Sequence, residues 1–279
     1  MTPRSSAPEL ERHEPTTSVV ARAFTILSAF DCDRRELGIS ELARLTGLPK
    51  STTHRMASDL VGCGVLVAIG SRYRLGLRLF ELGTRWIPAN LKELYDPYLR
   101  DLSCLTKGTV HGALLEGVDI VYLERITSHD WKGPRTRIGS RRPAYCTALG
   151  KAMLAYSPDA VVDRVIASGL RPRAPRTIVC AATLCRELAT IRSAGVAFDR
   201  QEFQSGVECV AAPILGERQA AISAVSVSVP AGSEDLEALA RSVKRTADTI
   251  ATIIRSSPSN YAVASRLGRA GSWHGRFTQ

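Results

Sequence analysis

One stretch of this chain, ISELARLTGLPKSTTHRMASDL, constrains the possible fold more than any other. Apolar residues at helical spacing predict a short helix from about Ile39, with Ser40 as its N-cap. The pair Thr46-Gly47 interrupts that helix. Pro49 suits the first turn of a following helix, because its missing N–H would be unpaired there anyway. The stretch therefore predicts two short helices joined by a tight turn.

The flanking residues complete a small domain around this helix pair. Upstream, apolar residues three and four positions apart predict a helix with one buried stripe, made by Val20, Ala23, Phe24, Leu27 and Phe30. Downstream, Gly62 and Gly64 end the second of the paired helices, and the stretches VLVA and RYRL predict a β-hairpin. Three helices followed by a hairpin indicate a winged helix-turn-helix, whose third helix enters the DNA major groove.

The third helix has an apolar side and a polar side. The apolar side is predicted to hold Thr53, Met56, Ala57 and Leu60. Short hydroxyls can approach phosphates or bases closely, and arginine can hold guanine by two bonds. The predicted DNA contacts are Lys50, Ser51, Thr52, His54 and Arg55, with Arg72 and Arg74 on the hairpin. The alternative for the helix alone is a solvated polar face on a structural helix. A metal role for His54 is not expected, since no second ligand lies near it.

Bulk composition supports an acidic partner. The 279 residues carry a formal net charge of +10, which favours nucleic acid first and anionic membrane second. No apolar run approaches the ~18–20 residues of a membrane helix, and the N-terminus lacks the apolar core of a secretory signal. Seven cysteines without a CxxC pair or zinc spacing predict a reduced, cytoplasmic protein. Neither a metal nor a cofactor is expected.

The chain as a whole is predicted to be α+β. A flexible leader (1–17) precedes the winged helix-turn-helix domain (18–76), a helical linker (77–95), a mixed domain (96–257) and a disordered basic tail (258–279). Strands and helices alternate in the mixed domain in an order that indicates an antiparallel sheet flanked by helices. Its final helix is predicted to follow Ser233 as N-cap.

Polar residues within apolar strands of the mixed domain suggest a ligand pocket. Ser226 and Ser228 are two positions apart, so they share one strand face and could bind an anion or a carbonyl, or could instead meet solvent. Asp199 follows an apolar pair and can point inward. Cys209 lies in an apolar strand, where simple core packing is the slightly favoured interpretation.

Taken together, these segments resemble the IclR family of bacterial transcription regulators. The resemblance is carried by SVVARAFTILSAF, ISELARLTGLPKSTTHRMASDL, YRLGLRLFELG, ALGKAMLA, ELATIRSAGVAFDRQEFQSGVECVAAPI and AISAVSVSVP, in the family's order. It implies a GAF-like effector-binding domain, operator DNA as partner, and homodimers that often pair into tetramers. The effector site it implies comprises Cys146, Ala148, Leu149, Gly150, Asp199, Val207, Cys209, Ser226 and Ser228, with Glu202 structural.

The expected function is a ligand-responsive transcriptional regulator, whether repressor or activator, that binds a small organic acid. Three arginines near the predicted pocket mouth make an acidic effector plausible, although a solvated basic loop is equally compatible with them; they are Arg137, Arg141 and Arg142. The connector's apolar stripe is the predicted dimer surface, around Leu79, Leu82 and Trp86.

Two alternatives come from the cysteines. A redox-sensing regulator would need an activated thiol with a resolving partner, and Cys180 and Cys185 are near each other in sequence. An enzyme would use Cys146 or Cys209 as nucleophile, but none of the five histidines forms a recognisable motif with either cysteine. The protein is therefore not expected to be an enzyme.

Overall fold

The computed structural model of the protein describes residues 18–31, 33–85, 89–127, 131, 133–134, 136–216 and 219–256, with the backbone alone for 89–93. Contacts divide the chain into two compact units, Met1–Ile87 and Pro88–Gln279. The predicted leader (1–17), the predicted tail (258–279) and Trp86 lie outside the described residues.

The first unit is a winged helix-turn-helix, as predicted. Its elements are α1 (Val19–Ser28), β1 (Leu37–Gly38), α2 (Ile39–Thr46), α3 (Lys50–Gly62), β2 (Leu66–Ile69), β3 (Arg72–Leu75) and α4 (Leu77–Thr84). The three strands form a small antiparallel sheet in the order β1-β3-β2. Gly47 caps α2 with a φ of +69°, a left-handed conformation that glycine adopts without steric cost, and this permits the tight turn before α3.

The predicted N-cap of α2 is wrong. The helix already begins at Ile39, so Ser40 lies within its first turn and Gly38 occupies the capping position. The Glu41 carboxylate accepts a hydrogen bond from the Gly38 N–H at 2.8 Å. A carboxylate three residues into a helix can reach back to the capping amide, which is the glutamate half of a capping box.

The predicted buried stripe of α1 is only partly correct. Ile26 and Phe30 are buried with Leu42, Met56 and Leu66 in the core of this unit, and Ala23 and Leu27 pack against that core. Val20 and Phe24, however, are 65% and 50% exposed. The helix carries apolar side chains on two faces, and only one of them meets α2 and α3.

The second unit contains one six-stranded sheet. Its elements are α5 (Ala89–Thr106), β4 (Thr109–Glu116), β5 (Asp119–Ile126), β6 (Arg141–Pro143), a 3₁₀ turn (Ala144–Cys146), α6 (Ala148–Leu154), α7 (Asp159–Ala167), α8 (Ala181–Ala194), β7 (Ala197–Arg200), β8 (Val207–Leu215), β9 (Ala221–Pro230) and α9 (Leu236–Ser256). The strand order is β6-β5-β4-β9-β8-β7, and every neighbouring pair is antiparallel. This confirms the predicted antiparallel sheet with flanking helices.

Each face of the sheet supports its own core. On one face, α5 and α9 pack against alternate strand residues such as Val225 and Val227. On the other face, α6 and α8 pack against residues such as Ala211 and Ala224. Tyr95 is buried in the first of these cores, so α5 belongs structurally to the second unit, and the predicted linker (77–95) overlaps its beginning.

In this unit one local prediction is wrong, and one strand was not predicted. The predicted cap Ser233 precedes α9 by three residues and donates its hydroxyl to the Pro230 carbonyl at 2.7 Å. Asp235 lies next to the helix and accepts the Glu237 N–H at 2.9 Å. The edge strand β6 was not predicted, because three residues are too few to show a strand periodicity.

Candidate functional site

The polar side of α3 faces outward from its domain. Lys50, Ser51, His54 and Arg55 are exposed and Thr52 is partly exposed, whereas Thr53, Met56 and Ala57 are buried. The division predicted from helical spacing is therefore confirmed. It leaves two positive charges and two hydroxyls on one accessible surface, which is the composition that binds a phosphate backbone.

The two wing arginines differ in their surroundings. The Arg72 guanidinium donates to the Glu36 carbonyl at 2.7 Å and to the Glu41 carboxylate at 2.9 Å, so it ties the wing to the start of α2. Arg74 lies two residues further along the strand and is exposed. Arg72 is thus bonded within its own domain, whereas Arg74 faces solvent.

A cavity of about 110 Å³ lies in the second unit, between the sheet and the start of α6. It is lined by seven of the nine residues predicted for the effector site: Ala148, Leu149, Asp199, Val207, Cys209, Ser226 and Ser228. The other lining residues are His111, Tyr122, Pro134, Thr136, Arg142, Thr147, Phe203 and Gln204. Residues separated by more than 100 positions in sequence are thus brought to one concave surface.

The serine strand has the predicted geometry. Ser226 and Ser228 are both buried and both line the cavity, while Val225 and Val227 face the opposite core. The Ser228 hydroxyl lies 3.0 Å from the Cys209 sulfur on the neighbouring strand. Cys209 therefore contacts the cavity as well as the core.

Asp199 is a buried carboxyl at the cavity wall. Its Oδ1 accepts hydrogen bonds from the backbone N–H groups of Glu202, at 2.6 Å, and Phe203, at 3.4 Å. Burial raises the pKa of Asp199 to about 7, because its charged form is poorly solvated there and these hydrogen bonds compensate only in part. Near neutral pH this group can both donate and accept hydrogen bonds.

A buried cation supports this wall from behind. Lys151 is fully buried in α6, and its Nζ donates to Glu202 at 2.5 Å and to Glu187 at 3.0 Å. Glu202 does not line the cavity, and its backbone N–H holds Asp199 in place. Lys151 was missed by sequence reasoning, because a lysine in an apolar helix is usually directed to solvent.

Two predicted effector residues lie outside the cavity lining. Cys146 is fully buried, with its sulfur 3.8 Å from the Pro143 carbonyl. A Cβ added at Gly150 would lie 2.1 Å from the Ala144 carbonyl oxygen, and the Gly150 N–H already donates to the Thr147 hydroxyl at 3.2 Å. Glycine is thus required at 150 for helix packing, and Gly150 lies outside the cavity lining, so its contact with a ligand stays a prediction.

Sequence reasoning also missed His111. It lies on β4 opposite Ser226, and its Nε2 is 2.6 Å from the Thr136 hydroxyl. Burial, with a smaller effect from the Arg125 charge, lowers the pKa of His111 to about 3, so the ring is neutral at physiological pH. Only strand pairing brings it to the serines; the one local signal was a polar residue within an apolar strand.

The cysteines differ in chemical state. Burial raises the pKa of Cys146 to about 12 and also raises the pKa of Cys209, so both are protonated at neutral pH and are weak nucleophiles. Cys180, at the start of α8, is exposed, and hydrogen bonds from Thr183 lower its pKa. Cys185 on the same helix is also exposed.

Comparison with known proteins decides the family. Residues 19–69 match the IclR helix-turn-helix domain, and residues 88–252 match the domain described as bacterial transcriptional regulator IclR C-terminal. The chain belongs to the IclR family. Members of this family are DNA-binding transcriptional regulators with a C-terminal effector domain, and the predicted fold class is thereby confirmed.

Individual IclR-family proteins resemble the chain over most of its length. The HTH-type transcriptional regulator KdgR of Escherichia coli is 33% identical over 226 residues, which cover 80% of this chain and 86% of KdgR. The transcriptional repressor IclR of E. coli is 29% identical over 200 residues, which cover 70% of this chain and 73% of that repressor. An IclR homolog from Microbacterium hydrocarbonoxydans, solved with 4-hydroxybenzoate, has a TM-score of 0.79 at 28% identity, covering 86% of this chain and all of that one.

The described residues contain neither a candidate metal site nor a membrane-spanning helix. Within those residues, no group of three or more His, Cys, Asp and Glu side chains is placed to hold a metal ion. None of the helices they form is sufficiently long and apolar to cross a membrane.

Proposed function

We propose that this IclR-family protein is a cytoplasmic regulator that binds operator DNA through α3 and the wing, and that a small organic acid in the cavity controls this binding. The observation that carries the proposal is the cavity itself. A few polar groups converge on an otherwise apolar wall, and this is the usual composition of a small-molecule site.

The cavity favours a compact acid that also carries a hydroxyl or keto group. Its volume of about 110 Å³ suits a small ligand. The hydroxyls of Ser226 and Ser228 can donate to an anion. Asp199 and the neutral His111 suit a ligand hydroxyl, because a second bare carboxylate beside Asp199 would be repelled. The 4-hydroxybenzoate held by the Microbacterium homolog has this chemistry.

The proposed active species is a homodimer, with pairing into a tetramer on DNA as a further possibility for the family. One reading helix and one wing cover only a few base pairs, and symmetric pairing matches two half-sites. On α4, Leu82 is 48% exposed and Phe80 is 68% exposed, whereas Leu79 is partly buried. An exposed apolar surface of this kind favours association with a second copy.

The test couples ligand binding to DNA binding. The full chain is titrated onto its operator with and without 4-hydroxybenzoate, and the double variant Ser226→Ala with Ser228→Ala is compared with wild type. We expect the ligand to change wild-type operator affinity by about 5- to 150-fold, the range of typical allosteric couplings. In the double variant, ligand-free operator affinity should persist while the response to ligand is lost.

Ser223→Ala is a matched control. Ser223 lies on the same strand but bonds the Tyr95 hydroxyl at 2.7 Å in the opposite core. This variant should keep the response. A double variant that responds as fully as wild type would show that the effector binds elsewhere.

A second candidate function is thiol-based sensing, and the lowered pKa of the exposed Cys180 is the observation that favours it. A Cys180→Ser variant would then lose any peroxide-dependent change in operator affinity. Unchanged wild-type affinity across a peroxide titration would contradict this candidate.

A further inference from the structure

Arg142 enters the cavity from the short edge strand β6. It pairs with Ile120 of β5, and its side chain lines the cavity. The preceding residue, Arg141, points to the other side of the strand, as alternation requires. Arg141 is exposed, and its Nη1 lies 3.4 Å from the Glu116 carbonyl and 4.0 Å from the Asp119 carboxylate. Two adjacent arginines therefore have different surroundings.

The Arg142 guanidinium is positioned but not fully bonded. Its central carbon lies 5.2 Å from the centre of the Phe203 ring, within cation–π distance, and its Nη1 donates to the Arg141 carbonyl at 3.1 Å. Its Nε is buried and has no hydrogen-bond partner within the described part of the chain. Buried N–H groups are nearly always paired, so this unpaired donor beside the cavity calls for an acceptor that the described residues do not supply.

The charges around the cavity favour an anion at this position. Arg142 and Asp199 are the charged side chains among the described lining residues. The Asp199 carboxylate already accepts two backbone N–H groups, and Lys151 lies behind it. Phe203 contacts both groups: its ring lies against the Arg142 guanidinium, and its N–H donates to the Asp199 carboxylate. A cationic donor and a hydrogen-bonding carboxyl thus line one small cavity.

We infer that Arg142 binds the carboxylate of the effector and makes the cavity selective for monoanionic acids over neutral molecules of the same shape. This inference rests on the proposed function and adds to it the residue that recognises the anion. Arginine suits this role, because its planar guanidinium presents donors in the geometry of a carboxylate.

The experiment compares two probes of nearly equal shape, 4-hydroxybenzoate and the uncharged 4-hydroxybenzamide. Calorimetry measures their dissociation constants with full-length wild type, Arg142→Gln and Arg141→Gln. Wild type should bind the benzoate more tightly than the amide. Arg142→Gln should weaken the benzoate by about tenfold or more and leave the amide nearly unchanged, because only the charge-assisted bonds are lost. Arg141→Gln, which removes the same charge from the same strand, should preserve the preference.

Three outcomes would overturn the inference. In the first, wild type binds neither probe. In the second, wild type and Arg142→Gln bind the benzoate with equal affinity. In the third, Arg142→Gln loses affinity for both probes equally, which would indicate a packing role. Operator affinity is measured in parallel without ligand. Its persistence in all three proteins would leave the DNA-binding part of the proposed function intact, whereas its absence in wild type would contradict that part independently.

Discussion

At the residue scale, Lys151 shows how a single buried charge can stabilise a ligand site that it does not touch. Its Nζ pairs with Glu202, whose N–H fixes Asp199. Replacing Lys151 by Met would leave a buried carboxylate without its cation, and we expect a loss of about 3–5 kcal/mol in the free energy of unfolding. Urea denaturation measures this. The double variant Lys151→Met with Glu202→Gln should recover a substantial part of the lost free energy of unfolding. If Lys151→Met alone unfolds with a free energy within about 1 kcal/mol of wild type, the argument is wrong.

Also at the residue scale, Asp199 and His111 should give opposite pH dependences of stability. The pKa of Asp199 is about 7 when folded and near its usual 3.8 when unfolded, so its contribution to the free energy of unfolding falls as pH rises from about 4 to 7. The pKa of His111 is about 3 when folded against 6.5 when unfolded, so its contribution rises between pH 3 and 6.5. Each effect is at most about 5 kcal/mol.

The two contributions can be separated by variants that keep the local hydrogen bonds. Relative to wild type, Asp199→Asn should gain stability as pH increases from 4 to 7, since the group whose ionisation is unfavourable has been removed. His111→Gln should lose stability relative to wild type between pH 3 and 6.5. Urea denaturation at half-unit pH steps checks both, and differences from wild type that do not vary with pH would refute the assignment.

At the scale of elements, α3 is the predicted DNA reader. Arg55→Ala should weaken operator binding by about 1–3 kcal/mol if the side chain reads a base, and should relax specificity at one operator position. Arg245→Ala is a matched control, because it removes one positive charge from an exposed position on α9. Fluorescence anisotropy with wild-type and single-substituted operators measures both effects. Equal affinities of Arg55→Ala and wild type would show that this face of α3 does not read DNA.

At the scale of the whole molecule, the prediction concerns assembly. A charge introduced at Leu82 should oppose burial of the apolar surface of α4 in a dimer, so Leu82→Asp should shift the sedimenting species toward the monomer and weaken operator binding. Val179→Asp is the control, since Val179 is 54% exposed in the second unit. Analytical ultracentrifugation at micromolar protein distinguishes the two. If wild type is a monomer and remains one after operator DNA is added, the proposed dimer is wrong.

Local sequence signals determined the elements and the fold class. Spacing of apolar residues located nearly every helix and strand, because periodicities of about 3.6 and 2 follow from backbone geometry alone. They also placed Ser226 and Ser228 on one face. The same signals gave two wrong assignments. They placed Val20 and Phe24 in the buried stripe of α1, and they made Ser40 the N-cap of α2, where Gly38 holds that position and its N–H donates to Glu41.

Only the tertiary structure decided which residues share the cavity. His111 meets Ser226 because β4 and β9 pair across more than 100 residues of sequence, and Arg142 enters on a strand too short to show a pattern. Gly150 and Cys146 are excluded because α6 packs against the turn at Ala144. Sequence periodicity specifies the direction of a side chain relative to its own backbone, whereas a binding site depends on the pairing register and packing distance between elements, which no single segment encodes.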